Sequence, residues 1–176
     1  MEDTRRWLER AVIGLNLCPF AKAVWVKQQV HIAGTEAGDA AGMLAAFGEE
    51  LDALVALPAA ERDTTLLVLP QGMDDFLDFL DLVARAERLV RKRGLGGVVQ
   101  VAHFHPRFVF ADADEDDVAN CTNRAPHPTL HLLREDSMDR AVAAFPDASA
   151  IYEANIARLR ELGPEGWDAL GVGAGR

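Results

Sequence analysis

The chain has 176 residues, of which 49% are hydrophobic and 26% are charged, and its formal net charge is −10. This composition is close to that of soluble globular domains, which excludes a disordered or collagen-like chain, and the length fits one domain. The acidic balance argues against nucleic acid or an anionic membrane as the partner, because both attract surfaces rich in Lys and Arg.

Neither an export signal nor a membrane-spanning segment is visible. Residues 1–10 carry both signs of charge, and no apolar segment with a small-residue cleavage site follows them. No apolar run reaches the roughly 18 residues that a membrane-spanning helix needs. We therefore expect a cytoplasmic protein in which Cys18 and Cys121 are reduced thiols.

The first half of the chain alternates between helical and strand patterns. Thr4 can cap a first helix that Pro19 ends, with apolar residues three or four apart. Residues 24–32 then read as a strand with Val24 and Val26 on one side. We then predict a helix at 39–57, with Met43, Phe47, Leu51 and Leu54 on one apolar face, and a short apolar strand at 64–69 that lies inside the sheet.

The second half continues the alternation and adds one long loop. We predict a helix from 76 to the basic residues 91–93, a strand at 98–105, a loop at 106–128, a strand at 129–133, and two helices opened by Ser137 and Ser149. Two strand–helix–strand units predict right-handed crossovers joining three parallel strands. The fold class is a single α/β domain over residues 1–176, with a mixed sheet of about four strands covered by helices. Residues 163–176 form a loosely held tail that Trp167 could anchor.

Four histidines, His103, His105, His127 and His131, fall within or beside the long loop. Residues two apart on a strand point to the same side, so His103 and His105 form a candidate pair of metal ligands. His131 could supply a third nitrogen if its strand lies beside theirs. Imidazole suits zinc or iron, whereas the alternatives are a metal-free site or histidines that only fix the shape of the loop.

Cys18 and several arginines are the other candidates. If Pro19 begins a helical turn, the N–H groups and Lys22 favour a Cys18 thiolate, although a buried structural cysteine is the simpler reading. Arg107, Arg124 and Arg134 flank the histidines and can each grip a carboxylate or phosphate with two parallel hydrogen bonds, although ordinary ion pairing explains Arg107 and Arg134 about as well. No glycine-rich phosphate loop follows a strand, so a nucleotide cofactor is not expected.

Three segments carry a resemblance to a known bacterial family. They are residues 16–20 (NLCPF), residues 100–106 (QVAHFHP) and residues 120–135, which include Thr122-Asn123-Arg124. On these motifs the chain resembles the uncharacterised family called domain of unknown function 1415. The resemblance covers most of the chain and implies a shared fold and site without an assigned reaction.

The leading hypothesis is a metal-dependent enzyme, a hydrolase or an oxidoreductase, that acts on a small anionic substrate outside the carboxyl end of strand 98–105. Its metal ligands are His103, His105 and His131, its catalytic residues are Cys18 and Arg124, and its substrate contacts are Asn123, Arg124, His127 and Arg134. Residues 120–128 fold back to bring Arg124 to the site. The alternatives are a metal-free protein that binds a small anion, and a thiol-dependent enzyme in which His103 or His105 serves as base for Cys18.

Overall fold

Four strands form one mixed sheet in the computed structural model, which describes residues 1–144 and 148–173. They span Val30–Gly34 (β1), Thr64–Val68 (β2), Val99–Phe104 (β3) and Thr129–Arg134 (β4). The spatial order is β1-β2-β4-β3, with β1 parallel to β2 and β4 antiparallel to both of its neighbours. Thus β1, β2 and β3 point the same way, as predicted, but β4 is inserted between β2 and β3.

Helices surround this sheet, which confirms the prediction of a single α/β domain with a mixed sheet. They span Glu2–Trp7 (α1), Ala21–Val26 (α2), Ala40–Ala56 (α3), Phe76–Lys92 (α4), Glu135–Ala144 (α5) and Ala148–Ala169 (α6). A π-helical segment, Leu8–Ile13, continues α1, and a 3-10 helix covers Val118–Thr122. Within the described ranges, no helix combines the length and the apolar character needed to cross a membrane.

Each face of the sheet has its own apolar core. The helices α3 and α4 cover one face, and the predicted stripe of α3, formed by Met43, Phe47, Leu51 and Leu54, is completely buried there. The segment from α1 through the π-helix covers the other face, where Trp7 packs against Phe104. All five residues of β2 are buried, because this strand lies inside the sheet between the two cores.

The N-terminal elements differ from the sequence prediction. Residues 24–26 are helical and belong to α2, and the strand begins only at Val30, after Gln28 turns the chain with a φ of 58°. The alternation of Val24 and Val26 was too short to distinguish a strand from a helix. Thr4 is not a cap: α1 begins at Glu2, and Thr4 is completely buried inside it.

The C-terminal segment is also more ordered than expected. Helix α5 begins at Glu135 rather than at Ser137, and α6 begins at Ala148. Gly163 interrupts α6 with a φ of 70°, and the helix resumes to Ala169. Trp167 joins the apolar packing, Val172 is 4% exposed, and Arg10 donates a hydrogen bond to the carbonyl of Leu170 at 2.9 Å. Through residue 173 the tail is therefore packed; residues 174–176 lie outside the described ranges.

Candidate functional site

The loop that connects β3 to β4 lies where the carboxyl ends of β1, β2 and β3 meet. Because β4 is antiparallel to its neighbours, it begins at this same edge, and Leu69 after β2 donates a backbone hydrogen bond to the carbonyl of Pro128 before β4. Open α/β sheets usually place their ligands at this edge. The long loop predicted from the sequence is thus located where a site is expected.

His105 organises the loop through its backbone and both ring nitrogens. Its backbone N–H donates to the carbonyl of Asn123 at 3.2 Å, which returns the segment that contains Arg124 to the end of β3, as predicted. Its Nδ1 accepts the backbone N–H of Arg107 at 3.0 Å. Its Nε2 must then carry the proton and donate to the carbonyl of Met73, 2.9 Å away. The ring is 1% exposed and its nitrogens are occupied, so His105 is a positioning residue and does not offer a nitrogen to a metal.

His103 and His131 lie on opposite faces of the sheet. The register pairs Ala102 with His131 and His103 with Leu130. Directly paired residues share a face and successive residues alternate, so His131 points away from the face that carries His103. His103 packs its ring between Phe79 and Phe108 on the α4 side, with centroids 6.0 and 5.9 Å away.

His131 is held on the other face by Thr64. The hydroxyl of Thr64 donates to the carbonyl of Leu132 at 2.7 Å, so its oxygen accepts the N–H of His131 Nε2, also at 2.7 Å. Burial lowers the pKa of His131 to about 4. Burial also lowers the pKa values of His103 and His105. These rings are therefore neutral at physiological pH.

The predicted metal centre of His103, His105 and His131 is consequently not assembled. The sheet separates His131 from the other two, and His105 uses both nitrogens in hydrogen bonds. Across residues 1–144 and 148–173, no three His, Cys, Asp or Glu side chains are grouped in a way that could hold a metal ion. The two strands β3 and β4 are adjacent, which was the condition for a third ligand from His131, but their register is one residue away from the one that three ligands would need.

Arg124 lines a cavity of about 460 Å³ beside the end of β3. The cavity is open to solvent, and its lining consists of Pro106, Arg107, Glu115, Asp116 and Arg124. Arg124 donates from Nε to the carbonyl of Phe108 at 3.0 Å and from Nη2 to the carbonyl of Glu115 at 2.6 Å. These bonds use two of its N–H groups and fix the plane of the guanidinium.

Arg107 is the second cation of this cavity and is less constrained. Its side chain makes one long hydrogen bond, 3.4 Å, to the carbonyl of Asp74. Its charge also helps to lower the pKa of the Asp75 carboxyl, after the backbone N–H groups of Asp78 and Leu77. Arg107 and Arg124 reach the same cavity because His105 binds the backbone at both Arg107 and Asn123.

The rest of the loop is held by buried side chains. Asn120 is completely buried, accepts the backbone N–H of Phe110 at 3.0 Å and donates to the carbonyl of Asp114 at 2.8 Å. Phe108 is 7% exposed and packs on Phe76 of α4 with ring centroids 5.3 Å apart. A loop tied at so many points presents its polar groups in a fixed geometry.

Two predicted substrate contacts, His127 and Arg134, lie elsewhere. His127 faces α1, where its Nε2 is 3.3 Å from Oδ2 of Asp3. Arg134 is at the opposite end of β4 and donates to the backbone carbonyls of Leu54, Leu57 and Arg62. Those carbonyls follow or end α3, so Arg134 closes the C-terminus of that helix and is a structural residue. The backbone carbonyl of Asn123 accepts the backbone N–H of His105.

Cys18 does not have the environment of an activated nucleophile. Burial raises the pKa of its thiol, although the backbone N–H groups of Phe20 and Ala21 lower it in part. The expected start of a helical turn after Pro19 is present, but desolvation outweighs it. Burial likewise raises the pKa of Cys121, beside which the guanidinium of Arg124 lies. Both cysteines are free thiols.

Of the four charged residues that line the cavity, Arg124 alone was predicted from the sequence as a site residue. Arg107 was considered beside Arg124 but left out of the predicted site, because ion pairing with the acidic run explained it equally well, and Glu115 and Asp116 belong to that run, which is typical of a solvated surface. The position of Arg107 two residues after His105 is the signal that could have identified it. No local pattern marks Glu115 and Asp116, because the loop that carries them is held by the bonds that Asn120 and Arg124 donate to the backbone carbonyls of Asp114 and Glu115.

Comparison with known proteins identifies a family but no activity. The family described as "Protein of unknown function (DUF1415)" matches residues 1–169. A search of curated proteins and a search of solved structures each gave no significant match.

Proposed function

The chain belongs to the DUF1415 family, whose description names no activity, and we propose its function from the geometry at the end of β3. The proposal is that the protein binds a small anionic molecule, through a carboxylate or phosphate group, between Arg107 and Arg124. The ligand is the small anion expected from the sequence, and its binding does not require a metal ion held by His103, His105 and His131.

The observation that carries the proposal is the placement of two arginines on one cavity. In a chain with 18 basic and 28 acidic residues, Arg107 and Arg124 line the same space of about 460 Å³. Ligand cavities in proteins usually measure about 300–1,000 Å³. A guanidinium presents parallel N–H groups that match the oxygens of a carboxylate or phosphate.

The two arginines differ in how firmly their side chains are held, and this difference supports recognition of a small anion. The carbonyls of Phe108 and Glu115 hold Arg124 in place, so its remaining N–H groups have a fixed direction. Arg107 is exposed and held only at 3.4 Å, so its side chain can move onto a bound molecule. Because Arg124 is already held in place, binding costs little further side-chain entropy there, whereas Arg107 must become ordered but can adjust its position to the ligand.

The amino-acid composition supports a small-molecule partner and a cytoplasmic location. With a net charge of −10 the protein is not suited to a nucleic acid partner, and we place it in the cytoplasm, where its two thiols stay reduced. A local pair of arginines is then the feature that offsets the general repulsion of anions.

Calorimetric titration with glutarate and with inorganic phosphate at low ionic strength tests the proposal. Arg107→Ala should weaken binding about tenfold or more, because a charge-assisted hydrogen bond contributes about 1.5–3 kcal/mol. The matched control is Arg91→Ala, at the opposite end of α4. The Arg91 side chain is 63% exposed, and its one ion pair, with Glu87, is long at 3.9 Å. Failure of both anions to bind at millimolar concentrations, or equal affinities for the two variants, would contradict the proposal.

A further inference from the structure

The cavity at the end of β3 is lined by two acidic residues as well as by two arginines. Glu115 and Asp116 line it together with Arg107 and Arg124, and both acidic residues are exposed. Arg124 donates to the backbone carbonyl of Glu115, so the Glu115 backbone adjoins this guanidinium. The opposite charges are therefore brought to one cavity by the fold of the loop itself.

These four side chains do not neutralise one another. In the part of the chain that the structure describes, none of them forms an ion pair with an oppositely charged side chain within 4.0 Å. Asp117, one residue further along, pairs with Arg160 at 3.0 Å. The loop thus directs Asp117 towards α6 and leaves Glu115 and Asp116 on the cavity.

We propose that the molecule bound here is zwitterionic, an amino acid or a similar amino-carboxylate. Its carboxylate would lie against Arg107 and Arg124, and its ammonium group against Glu115 and Asp116. This inference rests on the proposed function, because it adds a second charged group to the anion bound by the arginines. A cavity with charges of +2 and −2 complements a ligand with both signs better than a simple anion, which the two carboxylates repel.

The inference is tested by a pair of ligands that share a carbon skeleton. L-Glutamate differs from glutarate by one α-ammonium group, and both can be titrated into the same protein by calorimetry at low ionic strength. We expect L-glutamate to bind about two- to fivefold more tightly, the range that exposed ion pairs supply. If glutarate binds through Arg107 but L-glutamate binds no more tightly, the inference is wrong and the proposed function remains. If neither ligand binds, both are contradicted.

A charge-matched pair of variants separates local recognition from the overall charge of the protein. Glu115→Gln should reduce the affinity for L-glutamate about threefold and leave the affinity for glutarate unchanged or increased. Asp112→Asn removes the same charge from an exposed acid of the same loop that is not on the cavity, and it should alter neither affinity. Both substitutions are at exposed side chains, so folding is preserved. If Asp112→Asn changes the preference as much as Glu115→Gln does, the preference reflects net charge and the inference is overturned.

Discussion

His103 and His131 lie on opposite faces of the sheet, because Ala102 and not His103 is the residue paired with His131 across β3 and β4. His103 and His131 therefore pack against different apolar cores, one on each face of the sheet. His103 faces α4, and His131 packs its ring on Phe104 with centroids 5.9 Å apart. The cluster of histidines that dominates the sequence is divided by the sheet, and only His105 contributes directly to the geometry of the cavity.

The buried histidines make stability depend on pH. The pKa of His131 is about 4 in the folded protein, below its value of about 6.5 in the unfolded chain, so the unfolded chain binds more protons between these values. Stability is therefore fully present above pH 6.5 and is lost as the pH falls towards 4, by about 3 kcal/mol from this residue alone. Urea unfolding at pH 7.5, 6 and 5 should show the decline. His131→Gln should make the decline shallower, whereas an unchanged dependence on pH would contradict this assignment.

His105 and His103 should differ in their contribution to stability. His105→Ala removes a ring that is 1% exposed, together with the acceptor for Arg107 and the donor to Met73, and should cost about 3 kcal/mol of unfolding free energy. His103→Ala removes a half-buried ring for which no hydrogen bond is found among the described residues, and should cost about 1 kcal/mol. Denaturant unfolding of both variants measures the difference. Equal costs, or a larger cost for His103→Ala, would contradict the role given to His105.

Arg134 and Arg107 should show opposite effects on stability and binding. Arg134→Met removes the hydrogen bonds that its guanidinium donates to the carbonyls of Leu54, Leu57 and Arg62, so we expect a loss of about 2 kcal/mol with anion affinity unchanged. Arg107→Ala should weaken anion binding and leave the unfolding free energy within about 0.5 kcal/mol of wild type. Thermal unfolding and calorimetric titration of both proteins test the pair. If the Arg134→Met protein lost anion binding at a temperature where it is folded, Arg134 would belong to the anion-binding site.

The Cys18 thiol should react slowly with alkylating agents in the native protein. Because burial raises its pKa, the rate with iodoacetamide should still be rising above pH 8.5, whereas an activated thiolate has reached its plateau near pH 7. Cys121→Ser isolates the reaction of Cys18, and unfolded protein provides the reference rate. A plateau near pH 7 in the native protein would support the thiol-dependent enzyme instead.

Much of the fold follows from local patterns, and the elements that do not are those set by distant contacts. The apolar stripe of α3 and the continuous apolar run of β2 were sufficient to predict their burial, because each pattern matches the period of its element. The insertion of β4 between β2 and β3, and the pairing of Ala102 with His131, depend on contacts between residues far apart in sequence. A shift of one residue moves a side chain to the other face, so the histidine positions could not be fixed from spacing alone.

The candidate site was predictable only in part for the same reason. Arg124 was identified because it lies in a long polar loop that returns to the end of β3. Arg107 joins it through the hydrogen bonds of His105, and Glu115 joins through the hydrogen bond that Arg124 donates to its carbonyl. In both contacts the partner of the side chain is a backbone group, so the residue types of Arg107 and Glu115 do not reveal them, and only the spacing of Arg107 from His105 gives a signal.

The central claim, that Arg107 and Arg124 together hold a small anion, is tested most directly by observing the arginine side chains themselves. In ¹⁵N-labelled protein, the Nε–H signals of the arginines can be followed by NMR during titration with glutarate. We predict that the signals of Arg107 and Arg124 shift together and saturate, while that of Arg134, whose Nε donates to the carbonyl of Arg62, does not move. Shifts that do not saturate, or saturating shifts at Arg134 and not at Arg107 and Arg124, would contradict it.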